Sequence, residues 1–262
     1  YGCVSFLKGL WRGKTPESLG RVVVVGGGNA AVEAARASIR SGADSVTIVY
    51  RRTKKEMPAD PHEVDQALEE GVRLRGLTVP VEFEGKGDRL ARIKCIKMKL
   101  AGMDASGRIK PVPIDGSEFH INADSAIISI GQTPDFSYGM AGDIKLKRRG
   151  TIEVTTNGET NITGIFASGD ATSGPSTVVE AMASGRRAAQ GIICALKSAG
   201  RNDSDERIVA SRKEYDPVPK GIPKQSRRPV PHREIFERVK DYDEVIGHFS
   251  AKEAMKEASR CL

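Results

Sequence analysis

The stretch RVVVVGGGNAAVEAARASIRSG, residues 21–42, constrains the fold more than any other. Four consecutive valines leave no polar face, which suits a central parallel strand covered on both sides. The run breaks at Gly26, Gly27 and Gly28. Small and apolar residues then recur at helical spacing from Asn29 to a closing Gly42. A second β-branched run, SVTIVYRR over 45–52, completes a βαβ unit. Gly26 to Ala31 spells G-x-G-x-x-A where strand gives way to helix. In such a loop Gly26 permits the tight turn, Gly28 lets a pyrophosphate approach the backbone, and Ala31 lets helix and strand close up. The phosphates rest on the amides of the helix start, at Asn29 and Ala30, where the helix dipole favours their charge. The loop therefore predicts dinucleotide binding.

The end of the second strand selects the dinucleotide. A carboxylate there holds the ribose 2′-hydroxyl of NAD. This chain has Arg51 and Arg52 instead, with Lys54 and Lys55 beyond. Guanidinium forks suit a 2′-phosphate, so NADPH is expected rather than NADH. The competing reading is that Arg51 and Arg52 only solvate a strand end. Glu33, one turn into the helix, either faces the nicotinamide end of the cofactor or is an exposed helix carboxylate, because spacing alone does not orient a side chain.

Further along, DPHEVDQALEEG (60–71) reads as a helix with Pro61 in its first turn. VEFEGKGDRLARIKCIKMKL (81–100) alternates around a Gly-Lys-Gly-Asp turn, as a hairpin does. EFHI and SAIISIGQTPD add strands, the last closing on Gly131 and Pro134. GIFASGDA (164–171) reads as a short buried strand ending in Gly169 and Asp170, and a long helix rich in small residues follows to Leu196. The segment 215–233 is proline-rich and basic, an extended strap. Near the end, Ser250 and Glu253 occupy the positions of a capping box. The expected division is a lead-in over 1–20, a dinucleotide domain over 21–135, a second element over 136–200, and a strap with a terminal helix over 201–262.

The 262 residues carry a net charge of +7, but the basic residues are scattered and aromatics make up only 5%. Stacking platforms for bases are not evident, so no nucleic-acid partner is expected. No run is long and apolar enough to span a bilayer, and the start lacks a signal-peptide pattern. No membrane partner is expected, and a cytoplasmic protein is. Cys3, Cys95, Cys194 and Cys261 lie far apart, which excludes a local C-x-x-C pair or a complete metal motif. Cys95 and Cys194 are expected as small buried hydrophobes. Gly169 and Asp170 alone read as an ordinary turn, or as a strand end whose carboxylate accepts from a sugar-like hydroxyl. The helix start at Val178 and Val179 could stabilise negative charge on a reduced flavin ring.

Taken in order, VVVVGGGNAAVEAARASIRSGADSVTIVYRRTKKEMPA, AIISIGQTPD and GIFASGDATSGPSTVVEAMASGRRAA resemble the small (beta) subunit of NADPH-dependent glutamate synthase. They equally resemble the wider group of FAD- and NADPH-dependent iron–sulfur oxidoreductases related to the pyridine nucleotide-disulfide oxidoreductases. The resemblance implies an α/β fold: a Rossmann-like NAD(P)-binding domain with an inserted antiparallel β-meander, plus the return segment of an FAD-binding domain. It implies a fragment that begins just before the NADPH insertion, without the glycine-rich FAD loop, so the FAD site is incomplete. In the family, hydride passes from NADPH to FAD and electrons pass on to iron–sulfur clusters. By this resemblance Gly26, Gly28 and Ala31 belong to the NADPH loop, and Arg51 and Arg52 to the 2′-phosphate site. Gly131 is the glycine where the insertion rejoins, Gly169 and Asp170 are the flavin-ribityl motif, and Thr177 and Val178 the flavin-facing helix start. No acid–base residue is implied. Cys261 stands either as the first ligand of a cysteine cluster or as a lone thiol. Expected partners are the upstream FAD and iron–sulfur region of the same polypeptide, a glutamate synthase large subunit or another electron-acceptor subunit, or a second copy of the chain. The rival readings are a thioredoxin-reductase-like enzyme without its dithiol, and a non-catalytic NADPH-binding or subunit-docking module using the strap 222–233.

Overall fold

The computed structural model describes residues 1–16, 18–103, 107, 109–136, 143–198 and 226–260. Among these, 1–130 and 226–260 belong to one compact unit and 131–136 and 143–198 to a second.

In the first unit, β1 (Arg21–Val25) pairs in parallel with β2 (Ser45–Val49), with Val25 opposite Val49. Helix α2 (Asn29–Arg40) connects them. After β2 come a 3-10 turn at Lys54–Glu56, helix α3 (Pro61–Glu69) and strand β3 (Arg73–Arg75). Asp60 caps α3 by accepting from the His62 amide at 2.8 Å, and Pro61 takes the first turn, where its missing N–H costs nothing. Three antiparallel strands follow, β4 (Thr78–Lys86), β5 (Arg89–Met103) and β6 (Ile109–Pro113). A fourth, β7 (Phe119–Asn122), also pairs with β5, and the chain returns as β8 (Ser125–Ile128) beside β1. The parallel sheet has the order β3-β2-β1-β8.

The valine run explains the layering. Side chains alternate across a strand. Val22 and Val24 belong to a core shared with α2, α3 and the N-terminal residues, while Val23 and Val25 belong to a core with Ile93, Cys95 and Ala123 of the antiparallel insert. The insert thus covers the sheet face opposite α2 and α3. All four valines are at most 8% exposed. Burial of each contributes about 1.5–3 kcal/mol, so β1 anchors both cores.

Several elements differ from the sequence expectation. Residues 1–20 are not only a lead-in: α1 (Cys3–Trp11) buries Cys3 and Phe6 in the main core, and the Ile128 amide donates to the Tyr1 carbonyl at 2.9 Å. In the second unit, GIFASGDA is not a buried strand. Phe166 makes one isolated bridge to Glu159, and residues 164–171 range from half-buried to exposed. A parallel strand needs ladder partners along its length, and Phe166 has one bridge. Helices α4 (Asp170–Ser173) and α5 (Val178–Ser198) follow. Cys194 on α5 is exposed, not buried as expected, while Cys95 is buried as expected.

Of the expected strap, only 226–233 lies within the described residues, and Cys261 lies outside them. His232 bridges Ile246 in the first unit, and two helices follow, α6 (Ile235–Arg238) and α7 (Ala251–Ala258), the latter opened by the Ser250–Glu253 capping box. A buried ion cluster ties this segment down. Glu70, its side chain wholly buried, takes paired hydrogen bonds from Arg36 and from Arg40, and Arg238 Nε lies 3.1 Å from its Oε1. Arg238 also donates to Glu69 at 2.7 Å. Burial pushes the Glu70 carboxyl up, but the bonds from Arg36 and Arg40 outweigh it and hold the pKa below its usual value. No helix among the described residues is long and apolar enough to cross a membrane.

Candidate functional site: the glycine loop and the end of β2

The expected site residues fall into two groups. Gly26, Gly28, Asn29, Ala30, Ala31, Glu33, Arg51 and Arg52 lie in the first unit. Gly131, Gly169, Asp170, Thr177 and Val178 lie in the second.

Each glycine of the loop has its own physical reason. Gly26 has φ 149°, and a Cβ there would come within 2.3 Å of the Ser129 carbonyl oxygen, so both backbone and packing demand glycine. A Cβ on Gly27 would meet the Tyr50 ring at 2.5 Å. Gly28 differs. Its φ of −88° and ψ of 174° suit any residue, and a Cβ there would meet nothing within 4 Å. Among the described residues nothing requires glycine at 28. Open space in front of the Gly28 backbone, at the start of α2, is what a pyrophosphate needs. No side chain caps α2, unlike α3 and α7, so its first amides remain available to an anion. Ala31 is fully buried, as close packing of α2 on the sheet requires.

Because Val25 lies opposite Val49, the end of β2 stands beside the glycine loop. Arg51 is exposed, and among the described residues it makes no hydrogen bond or ion pair. Arg52 is placed otherwise. It is 2% exposed, and its Nε donates to the Ile109 carbonyl of β6 at 2.8 Å. Its buried Nε is committed to the insert, which departs from the expectation that Arg51 and Arg52 alike face a 2′-phosphate. Lys54 pairs with Asp65 at 2.5 Å, and Lys55 is exposed. Glu33 is exposed on the wall of a groove of about 750 Å³ that also takes in Asn29, Leu7, Leu10 and Trp11. Sequence reasoning missed Tyr50, the roof of Gly27. An aromatic immediately after β2, beside the glycines, was the available signal.

In the second unit, Gly169 has φ 66° and ψ −152°, a conformation essentially confined to glycine. Asp170 is exposed, with Ser176 Oγ 3.5 Å from its Oδ1. Thr177 and Glu180 bond reciprocally at the start of α5, and the Thr177 bonds hold the Glu180 carboxyl below its usual pKa. Val178, Val179 and Met182 are 70–76% exposed, an apolar face at that helix start. Gly131 lies three residues beyond β8, with φ 110°. Of the cysteines, Cys3 donates to the Ala30 carbonyl at 3.2 Å and burial raises its pKa, while burial pushes Cys95 up to about 11. Neither is a ready thiolate nucleophile.

Comparison with known proteins identifies the family. The chain is 39% identical to the NADP(+)-dependent formate dehydrogenase subunit beta of Moorella thermoacetica, over 99% of this chain and 38% of that one. It is 40% identical to the glutamate synthase (NADPH) small chain of Azospirillum brasilense, over 65% of this chain and 36% of that one. The chain thus spans about two fifths of the length of these curated relatives. Among solved structures, Mycobacterium tuberculosis FprA in complex with NADPH shares the fold with a TM-score of 0.59 at 21% identity, covering 76% of this chain and 59% of that one. The profile described as pyridine nucleotide-disulphide oxidoreductase matches residues 7–185, from within α1 into α5, and the chain belongs to that family of oxidoreductases.

Proposed function

We propose that the first unit binds NADPH, with the pyrophosphate on the loop Gly26–Ala31 and the 2′-phosphate on Arg51. The observation that carries this reading is Gly28, a glycine that neither backbone nor packing requires, facing open space at an uncapped helix start. The absence of a carboxylate at the end of β2, and an Arg51 that is exposed and unpaired among the described residues, support NADPH over NADH.

We infer further that the chain is the NADPH-binding part of a flavin-dependent oxidoreductase, with residues 21–135 as the NADPH domain and 136–200 as part of an FAD-binding domain. The reaction is hydride transfer from NADPH to FAD, with electrons passing on to iron–sulfur clusters, and the cofactors carry that chemistry. The chain's own residues bind and orient. Gly169, Asp170, Thr177 and Val178 would take the ribityl and pyrimidine end of the flavin, and the exposed Val178, Val179 and Met182 supply an apolar face beside it. Two relatives are named as a subunit beta and a small chain, which supports a partner subunit that receives the electrons. Calorimetric titration with NADPH and NADH tests the core of the proposal. NADPH should bind more tightly, and equal affinities would end it.

A further inference from the structure

Leu77, between β3 and β4, carries an outlying backbone. Among the described residues it is the one non-glycine with a positive φ, 49°. The left-handed conformation brings Cβ too close to the following carbonyl oxygen, and glycine, asparagine and aspartate are the residues that adopt it routinely. A leucine stays there only where its surroundings over-determine it. Here both adjoining peptide groups are held. The Leu77 amide donates to the Arg52 carbonyl at 2.9 Å, and the Leu77 carbonyl accepts from the Met98 amide of β5 at 2.7 Å. The turn also grips the end of β2 from both sides. Before it, the Arg75 carbonyl accepts from the Tyr50 amide at 2.9 Å. After it, the Thr78 amide donates to the Tyr50 carbonyl at 3.0 Å. The approach is close, since a Cβ on Gly76 would come within 2.9 Å of the Arg52 carbonyl oxygen. Arg51 thus lies between two residues whose backbones are bonded to 75–78, while its own side chain is exposed.

We propose that Leu77 is a positioning residue for nucleotide choice: its left-handed turn fixes the backbone from which Arg51 reaches a 2′-phosphate. This rests on the NADPH reading above. Leu77 acts through Tyr50 and Arg52, not on the nucleotide. If residue 77 leaves the left-handed region, its amide and that of Thr78 can no longer both meet the carbonyls of Arg52 and Tyr50. The end of β2 then loses its hold on the side away from β1. Charge-assisted hydrogen bonds are short, about 2.7–2.9 Å, and weaken quickly with distance and angle. A released strand end no longer presents the Arg51 fork at a fixed distance from the pyrophosphate loop. NADH has no group at that point, so the release costs it little.

The test is calorimetry of NADPH and NADH with the unmutated chain, Leu77→Val, Leu77→Gly and Leu77→Asn, with thermal unfolding recorded for each. The series separates backbone from side chain. Valine is the nearest of the three to an apolar leucine, but its branched Cβ resists a positive φ. Glycine and asparagine adopt that φ readily and remove the leucine side chain. Leu77→Val should lower the NADPH-to-NADH affinity ratio by about fivefold or more, chiefly through NADPH. Leu77→Gly and Leu77→Asn carry no added charge and should keep the ratio of the unmutated chain. The reverse order, with the ratio kept in Leu77→Val and lost in Leu77→Gly, would assign the effect to side-chain packing and overturn the inference. A lower unfolding midpoint in Leu77→Val with an unchanged ratio would show a purely structural turn and overturn it equally. Both results leave the NADPH reading intact. The glycine and asparagine variants also stand alone, since loss of the ratio in either, with the fold kept, contradicts the inference whatever valine does. An unmutated chain that does not distinguish the two nucleotides would overturn both this inference and the NADPH reading.

Discussion

Arg51 and Arg52 are neighbours of identical chemistry, and the structure gives them different surroundings. Arg51 is exposed and unpaired among the described residues, whereas Arg52 is buried with its Nε on the Ile109 carbonyl at 2.8 Å. Replacing each separately by alanine should therefore give two unlike phenotypes. Arg51→Ala removes a charge-assisted contact worth about 1.5–3 kcal/mol, or about 10- to 150-fold in NADPH affinity. NADH affinity and the unfolding midpoint should hardly change. Arg52→Ala removes a bond of the same class from inside the protein, between the end of β2 and the insert. At about 2–4 °C per kcal/mol for a chain of this size, the midpoint should fall by about 3–12 °C. The NADPH-to-NADH ratio should stay where it is. Calorimetry and thermal unfolding on the two variants measure both quantities. An Arg52→Ala chain that keeps its midpoint and selectively loses NADPH would refute the reasoning and return both arginines to the phosphate.

Two further outcomes follow from the charges. Glu70→Gln leaves three guanidinium groups around a neutral amide, and breaking a buried ion cluster costs about 3–5 kcal/mol, a drop on the order of 10 °C in the unfolding midpoint. Asp124 is held down to about 2 by its hydrogen bonds from Arg21, so its contribution is complete above the ordinary carboxyl value and is lost as pH falls from about 4 to 2. Stability measured across that window should fall less steeply in Asp124→Asn, by a small margin because the pair is exposed.

The dinucleotide half of the fold was legible because its signals are local and agree. A four-valine run, a glycine loop, a small-residue helix and a second β-branched run admit few arrangements other than β1, α2 and β2. The Asp60–Pro61 start of α3 and the Ser250–Glu253 box of α7 were equally readable, since caps act within four residues. Other features were not, because they depend on distant neighbours. Whether Arg51 or Arg52 faces inward is decided by where β6 passes, more than fifty residues on. The apolar spacing of Cys3, Phe6, Leu7 and Leu10 carried a helix signal for α1, but not its place in the main core. GIFASGDA has a strand's composition, yet composition supplies no ladder partner. Cys194 was expected inside on residue type alone, while exposure depends on which face of α5 it occupies.

Gly28→Ala tests the central claim most directly. The substitution puts one methyl group where the protein leaves open space, at a φ and ψ that alanine adopts freely. The unfolding midpoint should stay within about 2 °C of the unmutated chain, as for a substitution that disturbs no packing. NADPH affinity should fall about tenfold or more, because the methyl stands where the pyrophosphate meets the backbone. Gly26→Ala is the control, since its Cβ would meet the Ser129 carbonyl oxygen at 2.3 Å and should destabilise the fold itself. A Gly28→Ala chain that binds NADPH as tightly as the unmutated one, in the same calorimeter cell and buffer, would show that no pyrophosphate rests on this loop.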